Sequence, residues 1–212
     1  MAERPPAIGI PATCFLSELL YGEEMNSQAL LKEPVVILST PRLILRAATE
    51  NDIPALQERV FGDGEVMRYA FAGVPMTGGE TEHFMRAHFT FGDSLIGIAT
   101  LTEMPGGDVI GIAGLSPCGA LGGDDFEIGF VLARHVWGRG IATEIGEAQL
   151  AFGFDRLGCG RLLGLVEPRN APSIHALEKL GMRYFEDSAD PKRGRRSIYA
   201  INAEEWRERP TE

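Results

Sequence analysis

The stretch that most restricts the fold of this chain lies between residues 126 and 152. The run Phe126-Glu127-Ile128-Gly129-Phe130-Val131-Leu132 reads as a strand, and Ile141, Ile145, Ala148 and Phe152 then recur at helical spacing. A loop from Arg134 to Trp137 joins them and enters Gly138-Arg139-Gly140. A strand that turns into a helix through closely spaced glycines leaves unpaired backbone amides aimed at one spot, where the helix dipole adds positive potential. Such a turn is a natural cradle for a phosphate or pyrophosphate, and it needs no charged side chain. The residues expected to line it are Val131, Leu132, His135, Trp137, Gly138, Arg139, Gly140, Ile141, Ala142 and Thr143. Two other phosphate motifs fail by residue. A dinucleotide fingerprint needs a third glycine where Thr143 stands, and a P-loop needs Gly-Lys-Ser/Thr after its spacing. An ordinary glycine-rich turn is the alternative that this stretch alone leaves open.

The text around it predicts a mixed α/β sheet. Leu43 to Arg46 reads as a strand, and Thr49-Glu50-Asn51-Asp52 as a capping-box start to a helix running towards Val60. Glu80 to Phe89 is a second helix. Leu95 to Thr102 and Val109 to Leu115, joined at Met104 to Asp108, form an antiparallel hairpin. After the glycine turn the central helix should end near Gly158, with Gly146 and Gly153 weakening it. A strand from Arg161 to Val166 follows, then a helix from Pro172 to Leu180 stopped by Gly181, and strands near Met182 to Phe185 and Ser197 to Ile201. Residues 1–36, with Pro5, Pro6, Pro11 and Pro34 and no sustained periodicity, read as a flexible extension to a domain spanning 37–212; Met25 is a possible start.

Composition narrows the function classes. The 212 residues suit one domain, or one with an appendage, and 44% hydrophobic content supplies one sizeable core. Twenty Lys and Arg stand against 30 Asp and Glu, a formal charge of -10. That balance argues against nucleic-acid binding and mildly favours cationic partners such as amines. Cys14, Cys118 and Cys159 form no C-x-x-C pair, so reduced thiols in the cytoplasm are the expectation. The apolar stretch Ile8 to Leu20 is broken by Pro11 and Glu18 and lacks a basic flank, so neither a signal peptide nor membrane attachment is expected. His83, His88, His135 and His175 form no ligand pattern, so no metal is expected. Asp124 and Asp125 make an acidic loop tip ahead of the strand bearing Glu127.

A second segment sharpens the reading. Glu167-Pro168-Arg169-Asn170-Ala171-Pro172-Ser173 joins the end of a strand to a helix that finishes Leu177-Glu178-Lys179-Leu180-Gly181-Met182. Together with the glycine turn, this resembles the two signature motifs of the GNAT superfamily of acyl-CoA-dependent N-acyltransferases, Q/R-x-x-G-x-G/A and N-x-x-S followed by L-E-K-L-G-F/M. Trp137-Gly138-Arg139-Gly140 with Ala142-Thr143-Glu144, and the opening Thr40-Pro41-Arg42-Leu43-Ile44-Leu45-Arg46, are similar to the ribosomal-protein N-terminal acetyltransferase (RimJ/RimL-like) branch. The resemblance spans about Thr40 to Ile201. It implies the GNAT fold, an α/β (α+β) domain with a mixed, mostly antiparallel twisted sheet flanked by helices, its central strands splayed apart.

The resemblance also implies a ternary complex of acetyl-CoA with an amine acceptor, either a peptide N-terminus or a small amine, with acetyl passing directly between them and a homodimer left open. The turn at Gly138-Arg139-Gly140 would bind the CoA pyrophosphate, and Asn170 the pantetheine arm. His135 departs from the usual Gln/Arg, which removes a side-chain role there. Gly129 would mark a bulge where the strands part, and Trp137 would pack beneath the cradle. Glu127 is the candidate base, flanked by Phe126 and Phe130, which would desolvate it. Leu177 stands where many members carry a tyrosine acid, so that acid is excluded, and Ser173 becomes the candidate donor to the departing sulfur. As residues alone, Asn170 is equally a helix cap, Ser173 a capping hydroxyl and Glu127 a solvent-facing strand residue. Arg193, Arg195 and Arg196 form a basic cluster, read as a solvated face, with the CoA 3'-phosphate as the alternative.

Overall fold

The computed structural model describes residues 33–190 and 194–209. The predicted N-terminal extension, Met25 and Cys14 therefore lie outside the described residues, apart from positions 33–36. From Pro34 onward the chain forms one unit. Its strands are β1 (Val36–Ser39), β2 (Leu43–Arg46), β3 (Ala99–Glu103), β4 (Asp108–Cys118), β5 (Asp125–Leu132), β6 (Arg161–Val166), β7 (Arg183–Asp190) and β8 (Gly194–Asn202). They make an eight-stranded sheet in the order β1-β2-β3-β4-β5-β6-β8-β7. Every neighbouring pair is antiparallel except β5 and β6.

Helices cover both faces. On one lie α4 (Ile141–Ala151), continued by a π-helical turn at Phe152–Arg156, then α5 (Ala171–Lys179) and the short α6 (Ala203–Arg207). Ile141 and Ile145 of α4 pack on Leu43, Leu45 and Leu101, while Leu150, Leu177 and Leu180 pack on Leu115, Ile128 and Leu162. The other face carries α1 (Ile53–Leu56), α2 (Gly64–Met67) and α3 (Gly78–His88), whose Leu56, Met67 and Met85 pack with Phe61, between α1 and α2, near Ile112 and Val131. A register shift between Leu101 and Thr102 lets β4 feed both cores: Ile110 joins the α4 side and Ile112 the α1–α3 side.

The local signals account for these elements. Thr49 and Asp52 form the expected capping box, and Thr77 with Glu80 forms another that starts α3 at Gly78. Asp52 is buried, with Arg46 bidentate upon it at 2.7 and 2.8 Å, the Thr49 amide at 2.8 Å and Thr100 Oγ1 at 3.1 Å. Burial pushes its carboxyl up, but these four donors outweigh that and hold it below the usual carboxylate range. The helix predicted to run unbroken to Val60 is instead a 3-10 turn, α1 and a π-helical turn over Gln57–Phe61. The glycines expected to weaken the central helix have a packing purpose. A Cβ on Gly146 would lie 2.4 Å from Leu180 Cδ1, and one on Gly153 2.6 Å from Leu162 Cδ1, so a side chain at either position would force a core leucine to shift.

Candidate active site

β5 and β6 pair only at Phe126 with Leu162 and Glu127 with Leu163. Beyond those two residues the parallel strands part, as the splayed-strand expectation required. The Ala133 amide donates to the Ile110 carbonyl of β4 at 2.8 Å. Because backbone groups alternate sides along a strand, the amides of Phe130 and Leu132 face the opposite edge, where β6 has already diverged. The predicted bulge at Gly129 is absent. Gly129 pairs with Gly114 in unbroken register, and its amide also donates to Gln149 Oε1 of α4 at 3.3 Å. The parting thus comes from β6 leaving, not from an extra residue in β5.

At the open end of this gap stands the glycine turn. Gly138 and Gly140 have φ of 73° and 76°, left-handed values that glycine adopts freely. A Cβ on Gly138 would meet nothing within 4 Å, and one on Gly140 would meet only Arg42 Nη2, at 3.7 Å. Gly140 is the N-cap of α4, and no side chain caps the helix, so the first-turn amides of Ile141, Ala142 and Thr143 open outward. The one acid of that turn, Glu144, points away from them. It accepts from Thr40 Oγ1 at 2.5 Å and Arg42 Nε at 2.6 Å, while Arg42 Nη1 donates to the Arg139 carbonyl at 3.0 Å. Burial raises the Glu144 carboxyl, but Thr40 and Arg42 more than offset it and hold it low. This brace behind the cradle escapes sequence reasoning, because its partners lie about a hundred residues apart.

The cradle's other side chains are already engaged or exposed. Arg139 pairs with Glu103 at 2.5 Å and Arg134 with Asp63 at 2.7 Å, so main-chain groups are what the turn presents. His135 is exposed. Trp137 does not pack beneath the turn; it is 50% exposed, and its indole N–H donates to the Leu132 carbonyl at 2.8 Å, fixing the strand end to the loop.

Glu127 lies at the closed end of the gap, half-buried, opposite Ser116 on β4 and Leu163 on β6. Strand alternation overturns one expectation. Phe126 and Phe130 pack with the α4-side cores, so they point away from the Glu127 carboxylate and do not desolvate it. Asn170 caps α5, its Oδ1 accepting from the Ser173 amide at 3.3 Å, which leaves its NH₂ group as a donor. Ser173 is half-buried in the first turn of α5. Leu177 is core: a Cβ on Gly164 would lie 2.8 Å from its Cδ2.

Known proteins share this fold. A family model described as an acetyltransferase (GNAT) domain covers residues 42–183, more than half of the chain. The chain belongs to the GNAT acetyltransferase family. YkkB of Bacillus subtilis (strain 168) is 33% identical over 150 residues, 69% of this chain and 85% of that protein. Among solved structures, a GNAT-family acetyltransferase from Bacillus anthracis superposes with a TM-score of 0.68 at 24% identity, covering 79% of this chain and 98% of that one. A candidate ribosomal-protein-serine acetyltransferase from Vibrio cholerae gives 0.64 at 16%, covering 78% and 96%. Aminoglycoside acetyltransferase AAC(6')-Ib, in complex with coenzyme A, gives 0.60 at 20%, covering 78% and 97%. At these identities the structural likeness is one of fold.

Other charged features of this GNAT domain are structural. Asp125 accepts a bidentate pair from Arg161 at 2.6 and 3.0 Å, which leaves Asp124 alone as the exposed acid of the predicted loop tip. The basic cluster is not one solvated face. Arg195 pairs with Asp187 at 2.5 Å, Arg196 is buried, and Arg193 lies outside the described residues. Among the described residues no group of three or more His, Cys, Asp or Glu is placed to hold a metal ion, and no helix is long and apolar enough to cross a membrane.

Proposed function

We propose that this protein transfers the acetyl group of acetyl-CoA directly to a primary amine, with a protein or peptide N-terminus as the leading acceptor. The observation that carries this reading is the uncapped amide cradle at the mouth of a strand gap with Glu127 at its closed end. The open space at Gly138 and Gly140 suits close approach of a pyrophosphate. From Leu132 to Glu127 the strand runs roughly 17 Å, about the span of an extended pantetheine arm. Bound acetyl-CoA supplies the acetyl group as an activated thioester.

The chain's own groups divide the remaining work. The amides of Gly138, Gly140, Ile141, Ala142 and Thr143 hold the pyrophosphate, and those of Phe130 and Leu132, with the Asn170 NH₂, hydrogen-bond the arm. Attack needs a neutral amine, so Glu127 takes the proton from the acceptor ammonium, directly or through water. Ser173 Oγ offers a hydrogen bond to the departing sulfur. The thiolate is a good leaving group, so loss of this donor costs little.

The peptide-acceptor reading is supported by the Trp137-Gly138-Arg139-Gly140 motif and by the fold shared with the Vibrio cholerae protein. A small-amine acceptor is the second reading, supported by the similar likeness to the aminoglycoside enzyme. Release of free CoA thiol, followed over N-terminal peptides, polyamines, amino acids and aminoglycosides, decides between them. Turnover of peptides is expected. Turnover of small amines alone reverses the order, and tight CoA binding without turnover on any amine makes the protein a non-catalytic acyl-CoA sensor.

A further inference from the structure

We propose that Arg196 is a positioning residue for the amine acceptor, fastening the 68–76 loop across the strand gap on the face that carries Glu127; the acceptor role rests on the acetyl-transfer reading above. Ile198 and Ala200 of β8 pack with Leu163, the residue paired with Glu127, so side chains of this parity occupy the Glu127 face. Arg196 has the same parity. It is only 8% exposed, and its guanidinium donates through Nη2 to the Phe71 carbonyl at 3.3 Å and through Nη1 to the Arg195 carbonyl at 3.2 Å. A buried guanidinium needs such acceptors, which fixes where its head can lie.

The far end of this link is strained. Phe71 has φ of 48° and is the one non-glycine residue in the left-handed region among the described residues. A phenylalanine keeps that conformation only where its surroundings impose it. Two contacts do so. Its ring packs on Phe61 and Phe84, with centroids 5.9 and 4.8 Å away, and its carbonyl is held by Arg196. The same apolar cluster includes Val131 of β5, on the Glu127 side of the strand. The loop therefore reaches from the β5 side to β8, over the edges that β5 and β6 leave unpaired. Tyr69 of the same loop lies within electrostatic reach of Arg169, which immediately precedes Asn170. An amine approaching Glu127 from this face passes beneath the loop, so holding Phe71 in place sets the acceptor's position without touching the CoA cradle.

The test uses the full chain with Arg196→Met, which removes the donors while keeping apolar bulk, and Arg196→Lys, which keeps a donor. The first readout needs no turnover: trypsin cleavage after Arg68, whose side chain is 61% exposed, compared with the calorimetric affinity for CoA. Arg196→Met is expected to be cut several-fold faster with CoA affinity unchanged. The second readout is kinetic, on the peptide amine of the panel that gives the highest thiol release. Its acceptor KM should rise about tenfold, the loss of a charged hydrogen bond, with the acetyl-CoA KM unmoved and Arg196→Lys recovering most of the loss. Unchanged cleavage after Arg68 overturns the fastening. Acceptor and acetyl-CoA KM values that rise together overturn the acceptor role. Wild type that binds CoA and turns over no amine refutes the proposed reaction and the acceptor role with it, while the proteolysis still judges the fastening.

Discussion

At the residue scale, the groups proposed to bind and those proposed to react can be separated by substitution. Gly140→Asp places a β-carbon in a left-handed position and a negative charge beside the uncapped amides. It should weaken CoA binding at least a hundredfold by calorimetry while the domain still unfolds cooperatively; unchanged affinity removes the cradle from the site. Glu127→Gln should lower kcat about a hundredfold with CoA affinity intact, and a variant as fast as wild type takes Glu127 out of the mechanism. The glycine turn and the Asn170 cap are legible from sequence because both depend on local backbone and spacing, whereas Glu127 stands out only through the family resemblance. The surroundings of Glu127 were misread for a physical reason: adjacent strand residues face opposite sides, so neighbours in sequence are not neighbours in space. Arg196 was illegible because a buried arginine is exceptional and its acceptor lies 125 residues away.

Asp52 makes a residue-scale prediction about acid stability. Its carboxyl is held low when folded, so the stability it contributes is complete above the unfolded value near ~3.9 and is lost as pH falls through the lower folded value. Asp52→Asn should cost about 2–4 kcal/mol at pH 7, since it strands Arg46. In urea titrations from pH 7 to 3, the gap between wild type and variant should stay constant above about pH 5 and shrink below ~4. A gap that widens on acidification contradicts this assignment.

At the element scale, segments with a local pattern are readable and those made by tertiary pairing are not. The strand Arg161–Val166 and both helices flanking the gap emerged from periodicity and caps. β1 and α6 did not: both exist through tertiary pairing, β1 as an edge strand on β2 and α6 over the end of the sheet. Gly146 and Gly153 looked like helix-weakening residues because propensity ignores packing. Gly146→Ala should therefore lower stability by about 1–3 kcal/mol, although alanine is the better helix former. Thermal melting at equal concentration checks this, and a stabilised variant shows that Leu180 repacks without strain.

At the scale of the whole molecule, contacts between distant segments hold the two helices beside the gap in place. Thr40 and Arg42 brace the start of α4 through Glu144. Near the other end, Arg209 donates to Glu147 at 2.8 and 3.1 Å and to the Leu180 carbonyl at 2.6 Å, with its guanidinium 3.8 Å from the Trp206 ring centroid. That single side chain ties the segment after α6 to both α4 and α5. Arg209→Ala should cost about 1–3 kcal/mol in chemical denaturation and leave the acetyl-CoA KM unchanged, because it acts away from the glycine turn.

The claim beneath all of this is that main-chain amides at the start of α4 receive the diphosphate of coenzyme A. Amide-resolved NMR of the full chain titrated with CoA tests it most directly. The largest shifts should fall on Gly138, Gly140, Ile141, Ala142 and Thr143, with smaller ones on Phe130 and Leu132. Saturation by CoA that leaves those five amides unmoved contradicts the account.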